Sequence, residues 1–347
     1  MADEKRIGIL TGGGDCPGLN AAIRATTKTA IQAGYDVIGI HHGWEGMING
    51  EHEILDAIKT SGVIDRGGTM LGSSRFSPLQ IEDGPQRVFE AFKEMGLRAL
   101  VVLGGEGTLT VTGKLFKIGL PAIGIPKTID NDVKGTDYTI GFQTAVQVAT
   151  DALDRLRSTA ESHHRVMLLE VMGRYAGWIA TYSGMANGAD AIMIPEIPLD
   201  EEKIEELCQM LLNRKKKGIQ FSIVVVAEGT KLLGKNITKG ETTPEKEREN
   251  LGGIGRLLGR IIEDKTGLET RVSNLGYIQR GGTPVAYDRS LAIAFGVKAV
   301  DLVKKEQYGE MVALKGNSIT SVPLDTVAEG IKTVYLNAYK IAERFFG

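Results

Sequence analysis

A glycine turn at residues 104–108, Gly-Gly-Glu-Gly-Thr, constrains this chain more than any other segment. Val101-Val102-Leu103 before it reads as a short buried strand, and residues 108–116 after it read as a helix. Glycines between a strand and a helix let backbone N–H groups approach a phosphate closely, and the helix N-terminus favours its charge. A second motif, Pro126-Lys127-Thr128-Ile129-Asp130-Asn131-Asp132, follows another strand-like run at 122–125 and presents two carboxylates and a hydroxyl on an irregular loop. Both motifs then fall at the carboxyl ends of strands, where open α/β sheets bind ligands. A phosphate cradle beside an Asp/Thr/Asp loop suggests phosphoryl transfer.

The rest of the chain repeats this alternation. Residues 7–10 and 36–40 read as strands around a helix at 17–33, and a long helix starts at 142. The apolar runs 165–171 and 222–226 suit buried parallel strands. Residues 201–214 and 244–265 have helical spacing, while 229–243 is rich in Gly, Lys and Thr and reads as a surface loop. The fold class is therefore α/β, with mostly parallel sheets covered by helices on both faces.

At 347 residues the chain is long for one core and suits two lobes. A net charge of −2 gives no basic field, which argues against a nucleic-acid partner. Cys16 and Cys208 are too few for a disulfide framework and fit a reducing compartment. Cys16, inside the first glycine turn, reads as a small structural residue. The opening Met-Ala-Asp-Glu-Lys-Arg lacks the apolar core of a signal peptide, and no apolar run reaches the ~18 residues that span a bilayer. A cytoplasmic protein with no membrane partner is the expectation.

Four further segments stand in order with the two motifs: Leu10-Thr-Gly-Gly-Gly-Asp-Cys-Pro-Gly-Leu-Asn-Ala-Ala-Ile-Arg24, Gly67-Gly-Thr-Met-Leu-Gly-Ser-Ser-Arg75-Phe76, Val171-Met172-Gly173-Arg174 and Gly276-Tyr-Ile-Gln-Arg280-Gly-Gly-Thr-Pro. Together they resemble the 6-phosphofructokinase family, from about residue 6 to residue 288. A lone glycine turn would be shared with lipid and NAD kinases; the ordered set is not.

The resemblance implies two lobes with crossing chains: 1–141 plus 279–323 binding nucleotide, and 142–278 plus 324–347 binding sugar phosphate. It implies phosphorylation of fructose 6-phosphate at O1 by ATP and Mg²⁺, a glycolytic step. Asp130 would accept the hydroxyl proton, Thr128 would bond the transferring phosphoryl or the hydroxyl, and Asp132 would assist with the metal or orient Asp130. Gly14, Arg75, Phe76, Gly105, Glu106, Gly107 and Thr108 would meet the nucleotide, with Glu106 the magnesium ligand through waters. Glu106 stands where the family often has Asp.

Arg174 would contact the transferring group, and Arg165, Arg271 and Arg280 would hold the 6-phosphate through bidentate forks. Glu228 would accept from sugar hydroxyls, and Met172 and Gly173 would shape the pocket. Tyr277 replaces the histidine that most bacterial relatives carry. Trp44 is either near the nucleoside or in the core. In the family Arg165 and Arg271 come from a neighbouring subunit, which implies a homodimer or homotetramer with shared active sites.

Two positions bear on the donor. Gly107 leaves room for an α-phosphate where pyrophosphate users typically carry Asp, whereas Lys127 is usual in pyrophosphate users. ATP is the expected donor and pyrophosphate the alternative. A non-catalytic regulatory subunit is a remoter reading, countered by the presence of Asp130, Glu106 and Arg174. Arg24, Lys28, Arg157, Asp190 and Lys216 resemble parts of a nucleotide effector site. Lys28 replaces an arginine there and Gly218 a basic residue, so effector control is expected to be weak or absent.

Overall fold

The computed structural model describes residues 5–233 and 251–347. They divide into two compact units: Met1–Thr144 with Arg280–Lys332, and Ala145–Gln279 with Thr333–Gly347.

In the first unit the chain runs β1 (Arg6–Thr11), α1 (Leu19–Gln32), β2 (Asp36–Ile40), α2 (Gly43–Asn49), β3 (His52–Leu55), α3 (Gly84–Glu94), β4 (Leu97–Gly104), α4 (Glu106–Lys117) and β5 (Ala122–Pro126). It returns after the second unit as α9 (Ala286–Lys304), β10 (Glu310–Lys315) and β11 (Ser318–Pro323). The sheet order is β11-β10-β5-β4-β1-β2-β3. Its five inner strands are parallel, while β3 and β11 pair antiparallel at the edges.

Composition explains the layout. β5 is wholly buried and β4 and β1 nearly so, which suits strands covered on both faces, whereas β3 and β11 are mostly exposed or half-buried. Trp44 of α2 is buried in the core with Met47 of the same helix, Val88 and Phe92 of α3 and Leu100 of β4, so its role is packing. α9 lies against α1, and a Cβ at Gly296 would stand 2.8 Å from Ala25 Cβ and 2.9 Å from Thr26 N, so glycine permits that close approach.

The second unit carries α5 (Phe142–His163), which begins at its border, then β6 (Val166–Val171), α6 (Trp178–Asn187), β7 (Ala191–Met193), α7 (Glu201–Lys216), β8 (Ser222–Ala227), α8 (Ile254–Thr266), β9 (Thr270–Asn274) and α10 (Leu336–Glu343). Its sheet, β7-β8-β6-β9, is parallel throughout. Ile204, Leu207 and Leu211 of α7 and Leu258, Ile261 and Ile262 of α8 pack with Leu168, Val224 and Val226 of the sheet.

Two sequence expectations are adjusted. Residues 324–332, assigned to the second lobe, lie in the first unit, because Leu324 and Val327 pack on Leu109, Val133 and Met311. The surface-loop reading of 229–243 does not hold at its start: Thr230 and Leu232 are buried, and Leu232 bridges Leu199. The rest of that loop from 234, and the first turns of the expected helix at 244–265, lie outside the described residues.

Candidate active site

Strand order locates the site of the first unit. From β1 the chain moves outward to β2 on one side, then returns to place β4 on the other. The carboxyl ends of β1 and β4 therefore flank the switch in winding direction, where loops diverge and leave a crevice. These ends carry residues 12–14 and 104–108, and neighbouring β5 ends in the Lys127–Asp132 loop.

Close packing demands the glycines. Thr108 inserts its side chain between the two turns, so that a Cβ at Gly12 would lie 2.7 Å from Thr108 Cγ2 and one at Gly104 would lie 2.5 Å from Thr108 Cβ. A Cβ at Gly14 would collide with the Arg280 guanidinium, which places that cation directly against the first turn. A Cβ at Gly105 would come 3.6 Å from the Lys127 carbonyl, so the second turn abuts the β5 loop.

Side chains then pin the loops. Lys127, 1% exposed, donates from Nζ to the Gly14 carbonyl at 2.6 Å and so joins the β5 loop to the β1 turn. Ser73 Oγ donates to the Gly13 carbonyl at 2.5 Å, and Gly13 N–H donates to the Ser74 carbonyl at 2.9 Å. Thr11 Oγ1 donates to the Gly72 carbonyl at 2.6 Å, and Asn20 Nδ2 donates to the carbonyls of Arg66 and Gly67 at 3.1 Å each. This long loop brings exposed Arg75 beside the glycine turn, while Phe76 packs on the core.

Asp130 is 2% exposed. Its Oδ2 accepts from Thr128 Oγ1 at 3.2 Å, and its N–H donates back to that oxygen at 3.2 Å. Thr128 thus orients the carboxylate through a two-residue turn. Asn131, left-handed at φ 51°, accepts at Oδ1 from Thr139 N–H at 3.1 Å and from Lys332 Nζ at 3.0 Å. Asp132 accepts at its carbonyl from Lys332 N–H at 2.7 Å.

Glu106 opens α4, its Oε1 accepting from Thr110 Oγ1 at 3.3 Å, and a Cβ at Gly107 would meet nothing within 4 Å. No cluster of three metal-ligating side chains occurs among the described residues. A single carboxylate beside a phosphate cradle fits Mg²⁺, which keeps several waters and takes substrate phosphates as ligands.

Cys16 is fully buried, its Sγ donating to the Ile140 carbonyl at 3.2 Å, and burial pushes the thiol up to about 12. It is a packing residue.

In the second unit the expected sugar-phosphate residues fall into two groups at opposite ends of one sheet. Met172, Gly173 and Arg174 follow β6, and Glu228 follows β8, all at carboxyl ends. Glu228 Oε1 accepts from Arg174 N–H at 3.0 Å and so fixes a turn in which Arg174 is left-handed at φ 51°. Gly173, at φ 137°, is required there, because a Cβ would sit 2.5 Å from the Ala176 carbonyl oxygen.

Arg165 precedes β6 and Arg271 is the second residue of β9, at the amino ends. Both guanidinium groups pair with Glu269, Arg165 at 2.8 Å and Arg271 at 2.5 Å, and Arg165 holds that carboxyl below its usual range. With β6 six residues long, roughly 20 Å separates the groups at ~3.3 Å per residue. Tyr277, 74% exposed, lies in a short 3₁₀ turn, Gly276–Arg280, beyond β9.

Of the effector-like residues, Asp190 pairs with the buried Arg214 at 2.9 Å, and Arg157 donates to the Asn187 carbonyl at 2.6 Å. Arg214, in the last turn of α7, is thereby held inside the unit and not in solvent. Sequence reasoning also missed Glu170, Asp288 and Lys332. Glu170 is a buried carboxylate that accepts from the N–H groups of Gly253 and Gly255 at α8, both at 2.8 Å. Asp288 accepts from Thr144 N–H and Thr144 Oγ1 at 2.7 and 2.6 Å at the start of α5. Glu170 and Asp288 stand within or beside matched segments; Lys332 carries no motif at all.

The phosphofructokinase family model matches residues 6–303. A Streptomyces coelicolor protein named pyrophosphate–fructose 6-phosphate 1-phosphotransferase is 47% identical over 99% of this chain and 100% of its own. A Chloroflexus aurantiacus protein named ATP-dependent 6-phosphofructokinase is 49% identical over 93% of this chain and 91% of its own. Among solved structures, phosphofructokinase from Saccharomyces cerevisiae matches 98% of this chain with a TM-score of 0.81 at 30% identity. The chain spans 46% of the yeast chain. The ordered glycine turns, the Asp130 loop and the match along most of the chain agree, and this chain belongs to the phosphofructokinase family.

Proposed function

We propose that this chain is an enzyme that transfers the terminal phosphoryl group of ATP to O1 of fructose 6-phosphate, giving fructose 1,6-bisphosphate and ADP in the cytoplasm. The observation that carries this reading is the placement of Asp130, oriented by Thr128, on the strand end next to two glycine turns at a topological switch point. Phosphoryl transfer asks the protein for positioning and charge more than for covalent chemistry.

Asp130 accepts the proton that leaves the attacking O1 hydroxyl, and the new bond forms between that oxygen and the terminal phosphorus as the ADP oxygen departs. Thr128 holds the carboxylate's second oxygen. Arg174 supplies positive charge to the migrating group. Gly14, Gly105, Gly107 and Thr108 present backbone to the donor's phosphates, with Arg75 and Phe76 beside them and Lys127 beneath. Glu106 would hold Mg²⁺ through water, and the ion would neutralise charge building on the phosphate oxygens.

Arg165, Arg271, Arg280, Glu228, Met172, Gly173 and Tyr277 serve the sugar phosphate. The gap of roughly 20 Å along β6 prevents the Arg165–Arg271 pair and the Arg174–Glu228 turn of one chain from gripping one hexose phosphate. That separation supports a homo-oligomer in which the Arg165–Arg271 end completes a neighbour's site.

The relatives divide between ATP and pyrophosphate in their names, so the donor rests on local chemistry. Open space beside Gly107 favours ATP, because an aspartate there would project a charge into it. Lys127 is the observation favouring pyrophosphate as a second reading, but its ammonium is bonded to the Gly14 carbonyl and serves the loop with either donor. A coupled assay with ATP and pyrophosphate in parallel tests both readings. Turnover with ATP at the higher kcat/KM supports the first, and a pyrophosphate preference supports the second.

A further inference from the structure

We propose that Lys332 is a positioning residue for the transfer step: its buried ammonium holds the loop that carries Asp130 in its working shape. The inference rests on the reading of Asp130 as the base. Lys332 is 8% exposed, and its ammonium has three protein acceptors, Asn131 Oδ1 at 3.0 Å and the carbonyls of Thr136 and Asp137 at 2.8 Å each. An ammonium has three N–H donors and no acceptor, so each of these contacts has the ammonium donating. Its backbone joins as well, because Lys332 N–H donates to the Asp132 carbonyl at 2.7 Å and Ile331 bridges Val133 antiparallel.

The acceptors come from both legs of the loop that starts at Thr128. Thr139 N–H donates to Asn131 Oδ1 at 3.1 Å, and Thr139 Oγ1 donates to the Thr128 carbonyl at 2.7 Å, which closes the legs on one another. Asn131 needs that support, since a non-glycine residue at φ 51° is strained unless its surroundings over-determine it. Asp130 is its immediate neighbour, so Asn131's backbone fixes where the carboxylate points. The charged groups facing Lys332 are Asp132 and Asp137, which favour its cation, and Lys315, which opposes it. Burial pulls its pKa down to about 7. A cation kept where desolvation opposes it must be held by specific acceptors, and Asn131, Thr136 and Asp137 of this loop supply three.

Lys332→Met keeps most of the side-chain volume and removes the donors. In the full chain its kcat should fall by roughly 10²-fold, the scale of an ångström-sized misplacement at a reacting group. The KM for fructose 6-phosphate should change less than about threefold, since the loss is confined to the transition state. Asn131→Ala should fall in the same direction, and the double variant should be little worse than the poorer single, as for residues acting as a unit. Folded Lys332→Met protein with wild-type kcat would overturn the inference, as would a loss confined to KM. If Lys332→Met does not fold, Asn131→Ala decides, and normal turnover in it overturns the inference. Asp130→Asn assayed alongside separates the two readings: inactive Asp130→Asn with active Lys332→Met sinks only the role of Lys332, whereas active Asp130→Asn sinks the base beneath it.

Discussion

The two units use their parallel sheets differently. In the first, the functional side chains and glycine turns gather at the carboxyl ends of adjacent strands β1, β4 and β5, cross-tied by Lys127, Ser73 and Thr128. In the second, the residues proposed to bind the sugar phosphate divide between the two ends of β6, with Arg174 at one and Arg165 at the other. A site built on one edge of a sheet can be completed by one chain. A set divided over two edges serves two ligands, or one ligand in each of two chains. On the proposed reading, this contrast puts the proton acceptor in the first unit and would tie substrate affinity to assembly through the second.

The sharpest way to break the comparison is Asp130→Asn. The amide is nearly isosteric, keeps the Thr128 contact and cannot accept a proton. Turnover should fall by ~10²- to 10⁴-fold, the range for a positioned acid or base, while both substrates still bind. Initial rates with binding measured by calorimetry check it, and near wild-type turnover would return Asp130 to the role of a loop carboxylate.

Arg165→Ala and Arg271→Ala address the divided unit. Each removes charge-assisted hydrogen bonds worth about 1.5–3 kcal/mol, so kcat/KM should fall roughly 10- to 10²-fold through KM. Each also leaves Glu269 with one cation in place of two. Mixing the Arg165→Ala and Asp130→Asn proteins under subunit exchange should restore activity above the sum of the two, because some sites draw both intact groups from different chains. A fully active monomer in sedimentation would end this account.

The sequence showed the first unit well because its signals are local. Glycines between apolar strands and helices, and a Thr-Ile-Asp loop after a strand, are contiguous, and they fold where their spacing implies. The inner parallel strands were legible for the same reason: β4 is apolar from Ala99 to Leu103 and β8 from Ile223 to Ala227. The less legible features are long-range. Glu170 meets α8 across 83 residues, Asp288 reaches Thr144 across 144, and Lys332 reaches Asn131 across 201. Nothing in a residue's own neighbourhood reports such a partner. The short edge strand β3 and the Leu324–Val327 packing escaped in the same way, being set by what the rest of the sheet leaves uncovered.

Gly107→Asp sharpens the first unit's half of the comparison. Its Cβ points into open space, so the fold should tolerate the change, and on the proposed reading the new carboxylate faces the donor. Like-charge repulsion at an α-phosphate should lower kcat/KM for ATP about tenfold, the equivalent of ~1.4 kcal/mol, and leave pyrophosphate use unimpaired. Paired rate measurements check both arms. Equal losses with the two donors would show that the turn itself had been disturbed.

The smallest effect compares the cohesion of the two units, and the chain's two cysteines report on one each. Cys16 is sealed in the first glycine turn, and Cys208, on the buried face of α7, lies in the second unit's core. Burial raises both thiols above their usual range, to about 12 for Cys16. The thiolate is the reactive form, so neither should react with a disulfide reagent at pH 8 in the native protein, and both should react at once in denaturant. At intermediate denaturant, Cys16→Ser and Cys208→Ser proteins each report the opening of one unit. The first unit's turns are cross-tied by side chains from several loops, whereas β7, at the edge of the second sheet, is only three residues long. Cys208 should therefore become reactive at a lower denaturant concentration than Cys16. Coincident reaction of the two would mean that the units open together, and that the contrast between them is one of chemistry and not of stability.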